Sequence, residues 1–312
     1  MTGRVGIIGT GWVGTSVAMA TLQAGVAREL WLHDARPAIA EGEAMDLAHG
    51  AAFYPPCSVR AEPDLAAFRA CDVVVVAAGR NGQPGQSRLD LLRDNARLVA
   101  DIGRMLASGF DCIVVLVTNP VDVLTQVMTE ASGLPPARVL GTGTMLDTAR
   151  LRQMLGAQLR LDTHSIHAQV LGEHGDSEVV LWSGARVGGM PLRQWPGWDA
   201  ATTEPRIALD VRRAAYEVIQ RKGCTNHAIG LVTASLLGTL LRGERRLLTV
   251  SRLQTGTTGE LAGLHGVALS MPTVVSTAGG TEVIEPTLDE AERAALLHSA
   301  EVLRAALGTL SA

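Results

Sequence analysis

The chain opens on a short apolar run, Arg4–Ile8, that reads as a buried strand; a helical spacing follows over Trp12–Ala24, ended by Gly25. Glu29–His33 is a second strand pattern. Two further runs, Asp72–Ala77 (DVVVVA) and Cys112–Val117 (CIVVLV), are apolar without alternation. Strands apolar on both sides belong in a parallel sheet with helices covering both faces. Helical patterns between such strands predict an α/β fold with a doubly wound parallel sheet. After about Gly143 the regularity fades. His164–Val170 and Glu178–Trp182 read as strands, and Ile207–Arg221 and Thr225–Leu241 as long helices. Leu247–Leu253 and Val267–Val275 read as antiparallel strands, and Leu288–Leu307 as a closing helix.

The turn after the first strand carries Gly9-Thr-Gly11-Trp12-Val13-Gly14, a G-x-G-x-x-G pattern. Between a strand and a helix, such glycines serve a tight turn, a close backbone approach to pyrophosphate, and close helix–strand packing. The helix start adds free N–H groups and positive dipole for phosphate. Asp34 closes the second strand, where a carboxylate grips the adenine-ribose hydroxyls and repels a 2′-phosphate. The predicted cofactor is therefore NAD, although nearby Arg36 softens the preference against a 2′-phosphate. Gly9, Gly11, Trp12, Val13, Gly14 and Asp34 form the predicted cofactor site. Together these features predict a Rossmann domain over residues 1–142, followed by an α+β substrate domain over residues 143–312.

Composition narrows the class without naming it. In 312 residues, 47% are hydrophobic and 19% charged, which suits a large folded core and excludes disorder. A net charge of −4 provides no basic field for nucleic acid. Lys222 is the single lysine, a compositional bias. Cys57, Cys71, Cys112 and Cys224 form no C-x-x-C pair and no His/Cys cluster with zinc spacing, so no metal site is predicted and reduced core thiols are expected. No signal-peptide pattern and no apolar stretch of membrane-spanning length is visible, which leads to an expectation of a cytoplasmic enzyme.

Three segments carry candidate chemistry. His174 sits in Gly172-Glu-His-Gly-Asp176. A lone histidine on a turn is ordinarily structural, but removing a hydroxyl proton during hydride transfer needs a group titrating near neutrality. Asp147 and Arg150 are three apart, on one helix face, and read either as a surface ion pair or as functional groups. A guanidinium fork suits bidentate capture of a substrate carboxylate. Arg88 follows a loop rich in Gly, Gln, Asn and Pro.

The segments AGRNGQPGQSRLDL (78–91), TNPVD (118–122), GTGTMLDTARLR (141–152) and GEHGDSE (172–178), in this order with the glycine motif, resemble the lactate/malate dehydrogenase superfamily. The resemblance covers nearly the whole length and is strongest to bacterial L-lactate dehydrogenases. It implies interconversion of an L-2-hydroxy acid and its 2-keto acid. By the same resemblance His174 is the acid/base, Asp147 its carboxylate partner, and Arg88 a lid residue that polarises the reacting carbonyl. Asn119 is implied near the reacting oxygen and nicotinamide, in a cis peptide with Pro120. Thr225 and Ile229 match positions bordering substrate and nicotinamide. Arg152 and His167 match a fructose 1,6-bisphosphate site, with ordinary surface charge as the alternative. A homotetramer, or a dimer, is the implied assembly.

One position departs from the pattern. Six residues before the lid arginine, relatives carry Gln with lactate or Arg with malate; here stands Gly82. A glycine there leaves either a roomier, uncharged pocket for bulkier keto acids or merely a looser lid over pyruvate. Asn226 and His227 stand where relatives usually carry aromatics, which suggests an altered pocket wall. Arg80, two residues away from Gly82 in an extended loop, offers a charge to a dicarboxylate and hence a malate-like activity. A non-catalytic Rossmann sensor would need neither His174, Asp147, Arg88 nor Arg150, and a flavin enzyme would leave GEHGD unexplained.

Overall fold

The computed structural model describes residues 3–80, 87–107 and 111–311. The first part runs β1 (Arg4–Ile8), α1 (Trp12–Gln23), β2 (Glu29–His33), α2 (Pro37–His49), β3 (Ser58–Ala61), β4 (Val73–Val76), α3 (Arg88–Leu106), β5 (Ile113–Leu116), α4 (Val121–Ser132) and β6 (Val139–Gly141). The second begins with α5 (Met145–Leu159) and the short strands β7 (Ile166–His167), β8 (Val170–Leu171), β9 (Val179–Val180), β10 (Arg186–Val187) and β11 (Met190–Pro191). It ends with α6 (Ala200–Lys222), α7 (His227–Arg242), β12 (Arg246–Leu253), β13 (Ala268–Ser276), β14 (Gly279–Val283) and α8 (Glu290–Ser311).

Strands β3-β2-β1-β4-β5-β6 form a parallel sheet. Every residue of β4 and β5 is buried, as their unbroken apolar runs predict. One face packs on α1, α2 and α7, the other on α3 and α4. Strand order reverses at β1, between β2 and β4. A crevice opens beyond the carboxyl ends of β1 and β4 at such a reversal.

The sheet does not stop at residue 142. Strand β12 pairs antiparallel with β6 through Ser251 and Gly141, and β13 and β14 extend the sheet to nine strands. The antiparallel strands predicted near the C-terminus therefore continue the first sheet. Other differences have local causes. The single strand expected over His164–Val170 is split between two sheets, because the chain changes partners at Ala168. There α5 takes up the backbone: Arg152 Nε donates to the Ala168 carbonyl (3.0 Å), and the Val170 N–H donates to Thr148 Oγ1 (3.0 Å). Helix α6 starts seven residues before the predicted Ile207 (207 against 200). Asp199 caps it by accepting from the Ala201 N–H (3.1 Å), and Pro205, in the second turn, removes one amide donor without ending it. Among the described residues no helix is long and apolar enough to cross a membrane.

The glycine turn shows why its spacing matters. Gly9 has φ +97°, and a Cβ on Gly14 would lie 1.9 Å from the Gly9 carbonyl oxygen. Gly14→Ala is therefore expected to push α1 off β1 and destabilise the fold by about 1–3 kcal/mol, the usual cost of overpacking. A urea melt of wild type and variant measures the difference, and an unchanged midpoint contradicts the packing argument.

Candidate active site

Two helix N-termini converge on one histidine. Asp147 lies in the first turn of α5 and Asp122 in the first turn of α4, where carboxylates favour the helix dipole. His174 Nδ1 is 2.5 Å from Asp147 Oδ2, and the His174 backbone N–H donates to Asp122 Oδ2 (2.7 Å). Arg150 Nη1 donates to Asp147 Oδ1 (2.8 Å). Asp147 is only 2% exposed, so this is no surface ion pair. The turn carrying His174 is clamped elsewhere too. Gly172 exchanges two backbone hydrogen bonds with Ser270 of β13, and the Glu173 N–H donates to Ser299 Oγ of α8 (2.7 Å).

The electrostatics follow from burial and partners. Burial disfavours the His174 imidazolium, but the Asp147 charge and hydrogen bond outweigh it, with Asp122 adding, and its pKa rises to about 9. Burial also works against the Asp147 carboxylate, yet His174 and Arg150 together hold it below the usual carboxylate range. Asp122 is pushed up to about 6, chiefly by burial. Glu178 is buried, and burial followed by the Asp147 charge raises it to about 8. At pH 7 the Asp147 and Asp122 carboxylates thus stand beside two cations, His174 and Arg150, with Glu178 as a neutral acid nearby.

His174, Arg150, Asn119, Thr225, Ile229 and Val13 all line one cavity of about 370 Å³. It lies at the crevice, with Ala77 and Gly79 after β4 on its floor. Ala215 and Ile219 of α6, together with Leu91, Asn95 and Thr142, complete the wall. Sequence reasoning missed these, as it missed Asp122 and Glu178. An acid in a first turn reads as ordinary helix-end chemistry, and the α6 pair reads as part of an amphipathic helix. Asn95 is buried and holds the Arg80 backbone, accepting from its N–H (2.7 Å) and donating to its carbonyl (3.4 Å). Arg80 also lines the cavity, with Nη1 3.5 Å from Asp94 Oδ2.

The remaining predicted residues fall as follows. The Asn119–Pro120 bond is cis, as expected. Asn226 and His227 do not line the cavity, contrary to the suggestion of an altered wall. The buried Asn226 instead donates to Ser16 Oγ of α1 (2.8 Å) and accepts from Lys222 Nζ (2.7 Å). Trp12 is 67% exposed at the start of α1. Ser87 caps α3 and Arg88 opens it, but the Arg88 side chain and Gly82 lie outside the described residues. Arg152 donates to the carbonyl of Ala168, the residue after the exposed His167.

The crevice also suits a dinucleotide. A Cβ on Gly11 would meet nothing within 4 Å, so the backbone there is open to approach. Asp34 is held by Thr10, whose N–H and Oγ1 each donate to Oδ2 (3.1 Å), and by the Arg36 N–H on Oδ1 (3.0 Å). Burial opposes its charge, but these donors keep its pKa below the ordinary value, so an ionised acceptor stands at the end of β2. These residues fit NAD.

A parallel sheet with a dinucleotide crevice and a buried histidine–carboxylate pair beside it are the frame of a nicotinamide-dependent oxidoreductase. Residues 3–141 match the family described as lactate/malate dehydrogenase, NAD binding domain, and residues 144–312 match lactate/malate dehydrogenase, alpha/beta C-terminal domain. The chain belongs to the lactate/malate dehydrogenase family. It is 43% identical to the L-lactate dehydrogenase of Thermus aquaticus over 314 residues, covering 98% of this chain and 99% of that one. It is 40% identical to that of Kosmotoga olearia, covering 98% and 96%. A solved lactate dehydrogenase from a Medee basin deep-sea metagenome library superposes with a TM-score of 0.94 at 38% identity, covering 100% and 99%.

The imidazole titration is directly measurable. By NMR, His174 is expected to titrate near 9, against an ordinary 6.5. Because the folded value is raised, its stabilising contribution is fully present below about pH 6.5 and is lost as the pH rises through 9. In Asp147→Asn the supporting charge is gone and burial dominates, so the midpoint drops by two units or more, an order-of-magnitude expectation of ~3 kcal/mol. A midpoint unmoved by Asp147→Asn refutes the coupling.

Proposed function

We propose that this protein is an NAD-dependent dehydrogenase that interconverts L-2-hydroxy acids and their 2-keto acids, with L-lactate and pyruvate as the reference pair. The observation that carries this reading is the buried Asp147 carboxylate, shared between His174 and Arg150 at the wall of a single cavity. Gly9, Gly11, Val13, Gly14, Asp34, Asn119 and Ile229 would hold NAD, which supplies or accepts the hydride. His174, protonated below about pH 9, donates its Nε2 proton to the forming hydroxyl during reduction; when neutral, it takes that proton back during oxidation. Asp147 holds Nδ1 and stabilises the imidazolium. Arg150, with one nitrogen committed to Asp147, keeps further donors for the substrate carboxylate. Arg88 would stabilise charge developing on the carbonyl oxygen. The functional halves meet near residues 142–143.

The substrate side is uncluttered. Ala215 and Ile219 are apolar, and Gly82 contributes neither bulk nor charge, so keto acids larger than pyruvate fit this reading. A malate-type specificity is the second reading, supported by Arg80 on the cavity wall. A cytoplasmic homotetramer, with Arg152 and His167 taking fructose 1,6-bisphosphate, is the assembly that the family resemblance supports.

NADH oxidation should be followed with pyruvate, oxaloacetate, 2-oxobutyrate, 2-oxoisocaproate and phenylpyruvate, each with and without fructose 1,6-bisphosphate. Monocarboxylates are expected to win, with pyruvate ahead of the best bulky acid by less than about tenfold in kcat/KM. A lead for oxaloacetate that Arg80→Ala abolishes establishes the second reading. His174→Asn is expected to lower kcat by about 10²–10⁴; an active variant removes His174 from its role.

A further inference from the structure

A second polar cavity, of about 210 Å³, opens where β12 ends, between the loop after it and β14. Its wall holds Arg252, Gln254, Thr257, Thr281 and Glu285. Arg252 is 7% exposed and Gln254 only 1%. The guanidinium donates through Nη1 to the Gly280 carbonyl (2.5 Å) and through Nε, weakly, to the Leu253 carbonyl (3.4 Å). Among the described residues no carboxylate pairs with it, and burial alone pulls its pKa below the ordinary value. A buried cation of this kind is costly unless an anion meets it.

Two more buried groups point the same way. Gln254 Nε2 donates to the carbonyls of Arg252 (2.9 Å) and Leu269 (3.0 Å), which fixes the amide orientation. Its Oε1 is thereby left as a buried acceptor without a partner. Thr257 Oγ1 is likewise buried and unpartnered. Buried polar atoms normally find a partner. The residues of the cavity wall thus carry a buried cation, a hydroxyl without a partner and an acceptor that needs a donor.

We propose that this cavity binds a small oxyanion carrying its own hydroxyl, such as hydrogen phosphate or a 2-hydroxy carboxylate. The oxyanion's charged oxygens face Arg252 and Thr257, and its hydroxyl donates to Gln254 Oε1. The space equals about seven waters, enough for such an ion with a few waters and too small for a dinucleotide. Glu285, exposed at the rim, opposes anion entry and moderates affinity. The site is separate from the active-site cavity, with which it shares no lining residue.

Titration calorimetry of the intact protein with inorganic phosphate, sulfate and L-lactate tests this. Sulfate, which has no proton to donate at neutral pH, is expected to bind about tenfold more weakly than phosphate. Thr257→Val is expected to weaken phosphate about tenfold, and Arg252→Met to abolish binding. Glu285→Gln is expected to tighten it about threefold. Should Arg252→Met fail to fold, Thr257→Val and Glu285→Gln still decide the matter. If L-lactate binding responds to Thr257→Val, the ligand is a hydroxy acid; if only phosphate responds, it is a phosphate. If neither phosphate nor L-lactate binding responds to Thr257→Val or Glu285→Gln, or if no saturable binding occurs at all, the proposal is overturned.

Discussion

The arrangement depends on one buried carboxylate. Asp147 has almost no contact with water, and an isolated charge there would be unstable. Its two oxygens are instead divided between two cations, Oδ2 facing His174 and Oδ1 accepting from Arg150. The two cations keep Asp147 ionised, and Asp147 raises His174 against the opposing charge of Arg150. The helix dipole at the start of α5 adds to this. Without Asp147, burial and the Arg150 charge would both drive the proton off His174. Asp122, at the start of α4, fixes the histidine backbone, so both helix starts aim their charge at one residue.

That residue comes from the second part of the chain, while the crevice comes from the first. Two connections bring them together. One is the sheet, which crosses from β6 to β12. The other is α7 lying against α1, where a Cβ on Gly230 would meet the Ser16 carbonyl oxygen at 2.6 Å and Asn226 bonds Ser16 Oγ. This close approach places Thr225 and Ile229 on the same cavity as Val13, one turn from the glycine loop. Asn226 therefore acts on the pocket through helix position, without touching its interior.

Much of this was legible in the sequence where one physical requirement dominates. The bounds of β1 and β2 follow from short apolar runs, and both faces of β4 and β5 are buried as their unbroken valines require. His174, Asp147 and Arg150 were singled out through the resemblance of their segments to a known family; alone, they read equally as a turn histidine and a surface ion pair. The rest depends on contacts between distant residues. Nothing local to Asp122 says that its carboxylate meets an N–H fifty-two residues away, and Glu178 reads as a surface acid until its burial is seen. The split at Ala168 likewise arises from Arg152 and Thr148, which sit on a helix and leave no mark on the strand's own pattern. Asn226 misled for the same reason: adjacency to Thr225 in sequence places it near the pocket, but helix geometry turns it toward α1.

Selectivity in such a pocket rests on what is absent as much as on what is present. In the proposed function Arg150 and His174 meet a carboxylate and an adjacent oxygen, features common to every 2-keto acid. They cannot rank substrates by the remaining substituent. In that reading the ranking falls to Ala215 and Ile219, which offer small or apolar contact. A hydrophobic wall discriminates weakly between alkyl groups, by about 1–3 kcal/mol per methylene, whereas an unmatched charge is rejected strongly. Arg80 is a wall residue able to reverse that for a second carboxylate, but its guanidinium lies toward Asp94 and its backbone is held by Asn95. The pair with Asp94 competes with any dicarboxylate for the same charge, which supports the proposed monocarboxylate reading over the malate one.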